Sequence, residues 1–131
     1  MISNPKHGWC DFDLRDFHGH PSYLTDVPVD LLQAFIDLHT KGCGVVWFDE
    51  EGTEFSLVLT PYSIFIIEER DKVVLHDYSE MIISNLEREL IYDIKRNLGV
   101  WASFDCSLND DEFQQRAIEI QNLMKELEEY I

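Results

Sequence analysis

The residues that could do chemistry are few. Of His7, His18, His20, His39 and His76, only His18-Gly19-His20 forms a tight pair. Alternate histidines can share a metal ion, with Asp13 or Asp16 close by in the chain as a carboxylate ligand. The pattern is short, and neither a His-Glu-x-x-His helix nor a recognisable third ligand accompanies it. The preferred reading is a polar surface loop with no metal and no other cofactor. Cys106 with His76, or Ser79 with His76, could supply a nucleophile and its base, but an unpaired cysteine is more commonly a buried apolar side chain. Glu50-Glu51 and Glu68-Glu69 could do acid-base work only in a cleft that raises one pKa. Adjacent strand residues face opposite ways and turn residues are solvated, which argues against both pairs. Gly42-x-Gly44 precedes a strand and lacks the further glycines of a dinucleotide-binding loop. The expectation is a protein that is not an enzyme.

Charge is the stronger signal. Twenty-six acids face ten Lys and Arg in 131 residues, a formal net charge of −16 and a pI near 4.4. The excess is spread along the chain: residues 1–66 hold ten acids against three bases, residues 67–131 sixteen against seven. Such a domain repels nucleic acid and anionic membrane and attracts basic partners over about a Debye length, ~8 Å at physiological salt. Acids cluster at Asp49, Glu50, Glu51 and Glu54, at Asp110, Asp111 and Glu112, and at Glu126, Glu128 and Glu129. Asp11, Asp13 and Asp16 share a strand and the turn after it. Flanked by an aromatic such as Trp47, Phe48, Tyr62 or Trp101, an acidic cluster suits a basic protein surface, with carboxylates steering and aromatics anchoring. Trp47, Asp49, Glu50, Glu51, Glu54, Asp110 and Asp111 are the candidate partner-binding residues. Reversing the charges of Glu50 and Glu51 is expected to slow association without unfolding the chain. Simple solubility, and helix capping for Asp110-Asp111-Glu112, are the competing explanations.

The elements that must position these residues centre on Gly44–Tyr78. Apolar runs of strand length alternate there with short polar breaks, Asp49-Glu50-Glu51-Gly52, Thr60-Pro61 and Glu69-Arg70-Asp71-Lys72. The breaks are too short for crossover helices, so neighbouring strands run antiparallel. Tyr62–Glu69 is apolar on both faces and is expected at the sheet centre, covered above and below. Trp9–Phe17 alternates as a single half-buried strand, and His18–Ser22 reads as a loop. A helix is expected over about Pro28–Lys41, with Leu31, Leu32, Phe35 and Leu38 as its stripe and Gly42 after its end. A second spans about Glu80–Leu98, capped by Ser79 and ended by Gly99. Val100–Cys106 suits either a strand or a helical continuation. The last helix starts at Asn109, with Glu112 placed for a capping box. Its stripe of Phe113, Ala117, Ile120, Met124, Leu127 and Ile131 is expected to dock on the sheet rather than form a coiled coil. The sum is one α+β domain over 1–131, a mostly antiparallel sheet of about five strands with three helices packed on it.

Size, acidity, mixed architecture and turns such as Asp49–Glu54 resemble the immunity proteins of bacterial toxin systems, in particular those of contact-dependent growth inhibition and related polymorphic toxins. The resemblance implies a cognate basic protein toxin, of nuclease type, blocked at its active or substrate-binding surface. The charge argues against nucleic acid and membrane as partners, and the three widely spaced cysteines with an N-terminus that lacks an apolar run point to a cytoplasmic protein, expected to be monomeric or weakly dimeric. Three alternatives stand beside it: a nucleic-acid mimic that inhibits a DNA-binding enzyme, a small enzyme using His18, His20 or His76, and an adaptor dimerising through the last helix.

Overall fold

Among the described residues, two antiparallel sheets and four helices make up the fold. The structure is a computed structural model that describes residues 1–105 and 107–131. The chain runs β1 (Ile2–Lys6), β2 (Trp9–Leu14), β3 (Phe17–Gly19), α1 (Val27–Lys41), β4 (Gly44–Asp49), β5 (Glu54–Thr60), β6 (Ser63–Glu69), β7 (Val73–Asp77), α2 (Ile83–Lys95), α3 (Leu98–Ala102) and α4 (Asp110–Glu128). The class is α+β, as expected. The count differs: seven strands divided between a three-stranded and a four-stranded sheet, and four helices.

The extra strands come from the first twenty residues. Trp9–Phe17 is a strand and a reversal rather than one strand. Arg15 takes the left-handed φ of 55°, and the chain folds back with Leu14 opposite Phe17 and Asp13 opposite His18. His18-Gly19, expected in a loop, is therefore paired backbone. β1 contains Asn4 and Pro5, residues depleted from strands, and pairs with β2 across an irregularity between Ser3 and Lys6. Its sequence shows no alternation.

The second sheet has the order β4-β5-β6-β7, the chain order that short connections impose. One face is fully buried through Val46, Phe48, Phe55, Leu57, Leu59, Ile64 and Ile66. On it sit α1 and the small sheet, whose Phe12 and Phe17 rings meet Phe55 at 5.3 and 5.0 Å. Gly19 makes room for the Phe55 ring: a Cβ there would lie 2.4 Å from a ring carbon. The opposite face is left open. Phe65 and Ile67 on β6 are half-buried, not covered. A strand between two neighbours is shielded in the plane of the sheet, so apolarity on both faces did not require a layer on each side.

α1 runs one residue beyond the expected start and buries all four stripe residues; Gly42 closes it at φ 88°, its N–H donating to the Leu38 carbonyl at 3.2 Å. α2 starts at Ile83 instead of Glu80. Ser79 is engaged elsewhere, since its Oγ donates to Asp77 at 2.5 Å and accepts from the Ile64 N–H at 3.1 Å. Gly99 does not stop α2 but lies inside α3, so the open segment after it is helical through Ala102. Cys106, with which that segment ends, lies outside the described residues. α4 is capped as expected: Asn109 Oδ1 accepts from the Glu112 N–H at 2.9 Å, and Asn109 Nδ2 donates to Glu112 Oε1 at 3.1 Å. Ile120, Met124 and Leu127 are buried, but against α1 and α3 rather than the sheet. Arg116 fixes this packing, donating to Asp26 Oδ1 (2.9 Å) ahead of α1 and to the Ala102 carbonyl (2.9 Å) at the end of α3.

Asp30, in the first turn of α1, is pushed up to about 6 by burial and by the neighbouring Asp26 charge. A carboxyl that binds its proton more tightly folded than unfolded lowers stability as pH rises from its unfolded value near 3.8 through its folded one. Two pKa units formally represent about 3 kcal/mol; solvent screening of this half-buried group leaves about 1 kcal/mol. Asp30→Asn should therefore raise the urea midpoint at pH 7.5 and leave it unchanged at pH 3.5. An equal gain at both pH values would rule out titration as the cause.

Candidate interaction surface

Among the described residues, the open face of the four-stranded sheet has no layer packed over it. Register sets its pattern in three rows. Val45, Val58, Phe65 and Asp77 lie side by side across the strands; Trp47, Ser56, Ile67 and Leu75 form the next row; Asp49, Glu54, Glu69 and Val73 form the third. None of these is buried. The apolar residues on the two edge strands are the most exposed: Val45 at 61%, Trp47 at 48%, Val73 at 70% and Leu75 at 60%. Tyr62, at the β5–β6 turn, stands almost fully in solvent. Apolar side chains on adjoining strands make one continuous patch, of the kind that marks an interaction site more than isolated exposed residues do.

Carboxylates frame that patch. Trp47 Nε1 donates to Glu54 Oε2 at 2.9 Å, which fixes the indole across β4 and β5. Glu54 directly opposes Glu69, and its hydrogen bond and charge hold the Glu69 carboxyl above the usual range. Two like charges opposed across a ladder repel, and a basic partner group would relieve the repulsion.

Of the sequence candidates, Trp47, Asp49 and Glu54 lie on this face. Glu51 is at the tip of the β4–β5 turn, with φ 57° and its side chain in solvent. Glu50 is turned inward, its side chain only 8% exposed. It accepts from Arg70 Nη2 (3.0 Å), the His20 N–H (2.9 Å) and Thr53 Oγ1 (3.0 Å). Burial alone would raise its pKa; the Arg70 and His20 bonds override that and hold it below the usual carboxylate range. Arg70 also donates to Glu68 Oε1 (3.0 Å) and the His18 carbonyl (3.1 Å), and lies over the Phe17 ring at 5.3 Å. Glu50 and Arg70 thus clasp the two sheets together. Asp110 and Asp111 are exposed in the first turn of α4 and belong to the helical layer, behind the covered face. Of the other suggested anchors, Phe48 and Trp101 are fully buried; the Trp101 indole donates to the Asp93 carbonyl at 3.3 Å.

His18, His20, His39 and His76 each lie within hydrogen-bond distance of a carboxylate. His18 Nδ1 is 2.8 Å from Asp13 Oδ1, and His20 Nδ1 is 3.2 Å from Asp11 Oδ1 while its ring stacks on Trp9 at 5.0 Å. Among the described residues, no group of three or more His, Cys, Asp and Glu could hold a metal ion. His76 Nε2 meets Glu68 Oε2 at 2.7 Å and not Ser79; its proposed pairing with Cys106 lies outside the described residues. Beside His76 is an open depression of about 540 Å³ lined by Arg15, Asp16, Asp77, Tyr78 and Glu80. In it the Tyr78 hydroxyl donates to Asp16 at 2.7 Å, and burial with that bond pushes the phenol up to about 12. Cys10 is buried and its thiol is likewise raised to about 12, so it is inert as a nucleophile.

Sequence reasoning missed Val73 and Leu75 as surface residues of this patch. Their alternation with Val74 and His76 was the available signal, but it did not say which face was wet. Comparison with protein-family models, with curated proteins and with solved structures finds no match. Among the described residues, no helix is long and apolar enough to cross a membrane.

Proposed function

We propose that this chain is an acidic, non-enzymatic, cytoplasmic protein-binding domain of the immunity type, which neutralises a cognate basic toxin by covering its active or substrate-binding surface. The observation that carries the reading is the open sheet face: Val45, Trp47, Val73 and Leu75 exposed in one patch and framed by Asp49, Glu54, Glu69 and Asp77. Exposed apolar area supplies affinity, and a rim of one sign selects partners of the other. The net charge of −16 extends that selection to long range and favours association rates rising toward ~10⁸ M⁻¹s⁻¹ at low salt. A nuclease is the fitting class of toxin, because a surface that tracks phosphates is lined with Lys and Arg.

The test is capture from an extract of the source cells at low salt, with the wild type and a Trp47→Ala/Leu75→Ala double variant side by side. Both substituted side chains are exposed, so the variant should fold. A basic protein is expected on the wild type, eluted by roughly 0.5 M salt, where the Debye length has fallen to a few Å, and at least about tenfold depleted on the variant. A neutral or acidic captured protein would overturn the reading. Capture unaffected by the double substitution would move the binding site off this face.

A further inference from the structure

We propose that the free edge of β7 accepts an extended basic segment of the partner as an added strand. This rests on the protein-binding reading above and specifies its mode. β7 is the last strand of its sheet and pairs with β6 alone. The Tyr78 N–H donates to the Ile64 carbonyl at 2.8 Å, which marks Tyr78–Ile64 as a hydrogen-bonded position of the ladder. Bonded positions alternate in an antiparallel pair, so Val74 and His76 face β6. Val73, Leu75 and Asp77 turn their backbone groups outward, and among the described residues no backbone or side-chain group meets them there. Exposed edges are blunted by proline, a bulge, a charged side chain or very short length. β7, Val73-Val74-Leu75-His76-Asp77, has no proline or bulge, and the charge it carries, Asp77 at its end, is negative and turns away acidic strands rather than basic ones.

The two sides of this edge differ in chemistry, and the difference specifies the occupant. A strand laid ~4.8 Å from β7 sends alternate side chains to opposite faces. One set would lie beside Val73 and Leu75 and extend the open apolar patch. The other would lie beside Val74 and His76, over the depression that holds Asp16 and Glu80. Arg15, which also lines that depression, leans toward Glu80 at 3.8 Å. Asp16 accepts from Tyr78 but keeps free lone pairs for a second donor. The match is a segment in which apolar residues alternate with Lys or Arg. A second copy of this chain is disfavoured, because edge-to-edge pairing would bring two sets of the same carboxylates together. The other edge, β4, is less accessible: its Asp49 carbonyl accepts from the Ser22 N–H at 2.8 Å, and the groove beside it is about 190 Å³.

The probe is an acetylated, amidated peptide of four Lys-Val repeats, read by amide hydrogen exchange on the full chain, with four Glu-Val repeats as the control. The basic peptide should slow exchange of the Val73, Leu75 and Asp77 amides at least about tenfold, and the acidic one should not. Leu75→Pro removes one outward N–H and leaves the β6 ladder intact; it should abolish the protection. If that variant does not fold, the amide map of the wild type still decides. No binding at millimolar peptide, protection at Val45 and Trp47 instead, or binding without any protection of β7 would each overturn the proposal. A captured basic partner that depends on Trp47 but leaves the β7 amides unprotected would sink strand addition alone. A neutral or acidic captured protein would instead sink the broader reading.

Discussion

Glu50→Lys is expected to destabilise the chain by about 3 kcal/mol, and Glu51→Lys by less than about 0.5 kcal/mol. The two residues are adjacent, carry the same charge and belong to the same turn, so the contrast isolates environment. Glu50 is nearly buried and accepts from Arg70, His20 and Thr53. A lysine there would set an ammonium against the Arg70 guanidinium and leave the His20 N–H without its acceptor. Glu51 meets only solvent beyond its own turn. Urea midpoints at pH 7 measure both. A carboxyl held below its usual range adds stability above its unfolded pKa near 4.5, and that contribution is lost as pH falls through the folded value. The gap between wild type and Glu50→Gln should therefore narrow below about pH 4. Equal midpoints for Glu50→Lys and wild type would mean that the clasp is not structural and that the carboxylate is free for a partner. The Arg70, His20 and Thr53 bonds set Glu50 apart from the expectation that both residues can be reversed without unfolding, so Glu51 and not Glu50 is the position at which to probe steering by charge.

The same pair shows where sequence ceases to inform. Nothing in Asp49-Glu50-Glu51-Gly52 distinguishes the two glutamates; Arg70, twenty residues on, does. The meander was legible because Phe55, Leu57 and Leu59 alternate with polar residues and Gly52 and Pro61 punctuate the runs. The start of α4 was legible because Asn109 and Glu112 have a local job that needs no tertiary partner. β1 was not, since Asn4-Pro5 contradicts strand propensity and tertiary partners hold it extended: β2 beside it and Asp93 on α2, which accepts from the Ile2 N–H at 3.2 Å. The open sheet face was half legible. Alternation set Glu54 and Ser56 on the face away from Phe55, Leu57 and Leu59, but the apolar run Ile64-Phe65-Ile66-Ile67 reads the same whether its second face is covered by a helix or by a partner. Periodicity reports which side chains share a face; it does not report what lies over that face. Trp101 illustrates the converse error, an aromatic beside acids that is core and not anchor.

Gly44→Ala is expected to cost about 3 kcal/mol or more, the upper range for forcing atoms into a packed interface. A Cβ at Gly44 would lie 2.0 Å from the Ala34 carbonyl oxygen, 2.7 Å from its carbon and 3.0 Å from the Ala34 Cα. These are backbone atoms in the middle of α1, so no rotamer change can make room. Either α1 lifts from the sheet, opening a gap around Leu31, Leu38 and Val46, or β4 bends away from α1. β4 carries Val45 and Trp47, so the second route would also distort the open face while leaving its side chains chemically intact. Glycine is required here for close approach and not for an unusual φ. Gly99→Ala is the matched control: nothing lies within 4 Å of its Cβ position, its place inside α3 favours alanine, and the substitution should be neutral or stabilising by up to about 1 kcal/mol. Urea midpoints give the stability difference, and amide hydrogen exchange separates the two routes. A bent β4 would speed exchange of the amides it pairs with β5, and a lifted α1 would leave them protected. A wild-type midpoint for Gly44→Ala would mean that α1 and β4 do not approach this closely in solution, and the seating of the edge strand that presents Trp47 would have to be drawn anew.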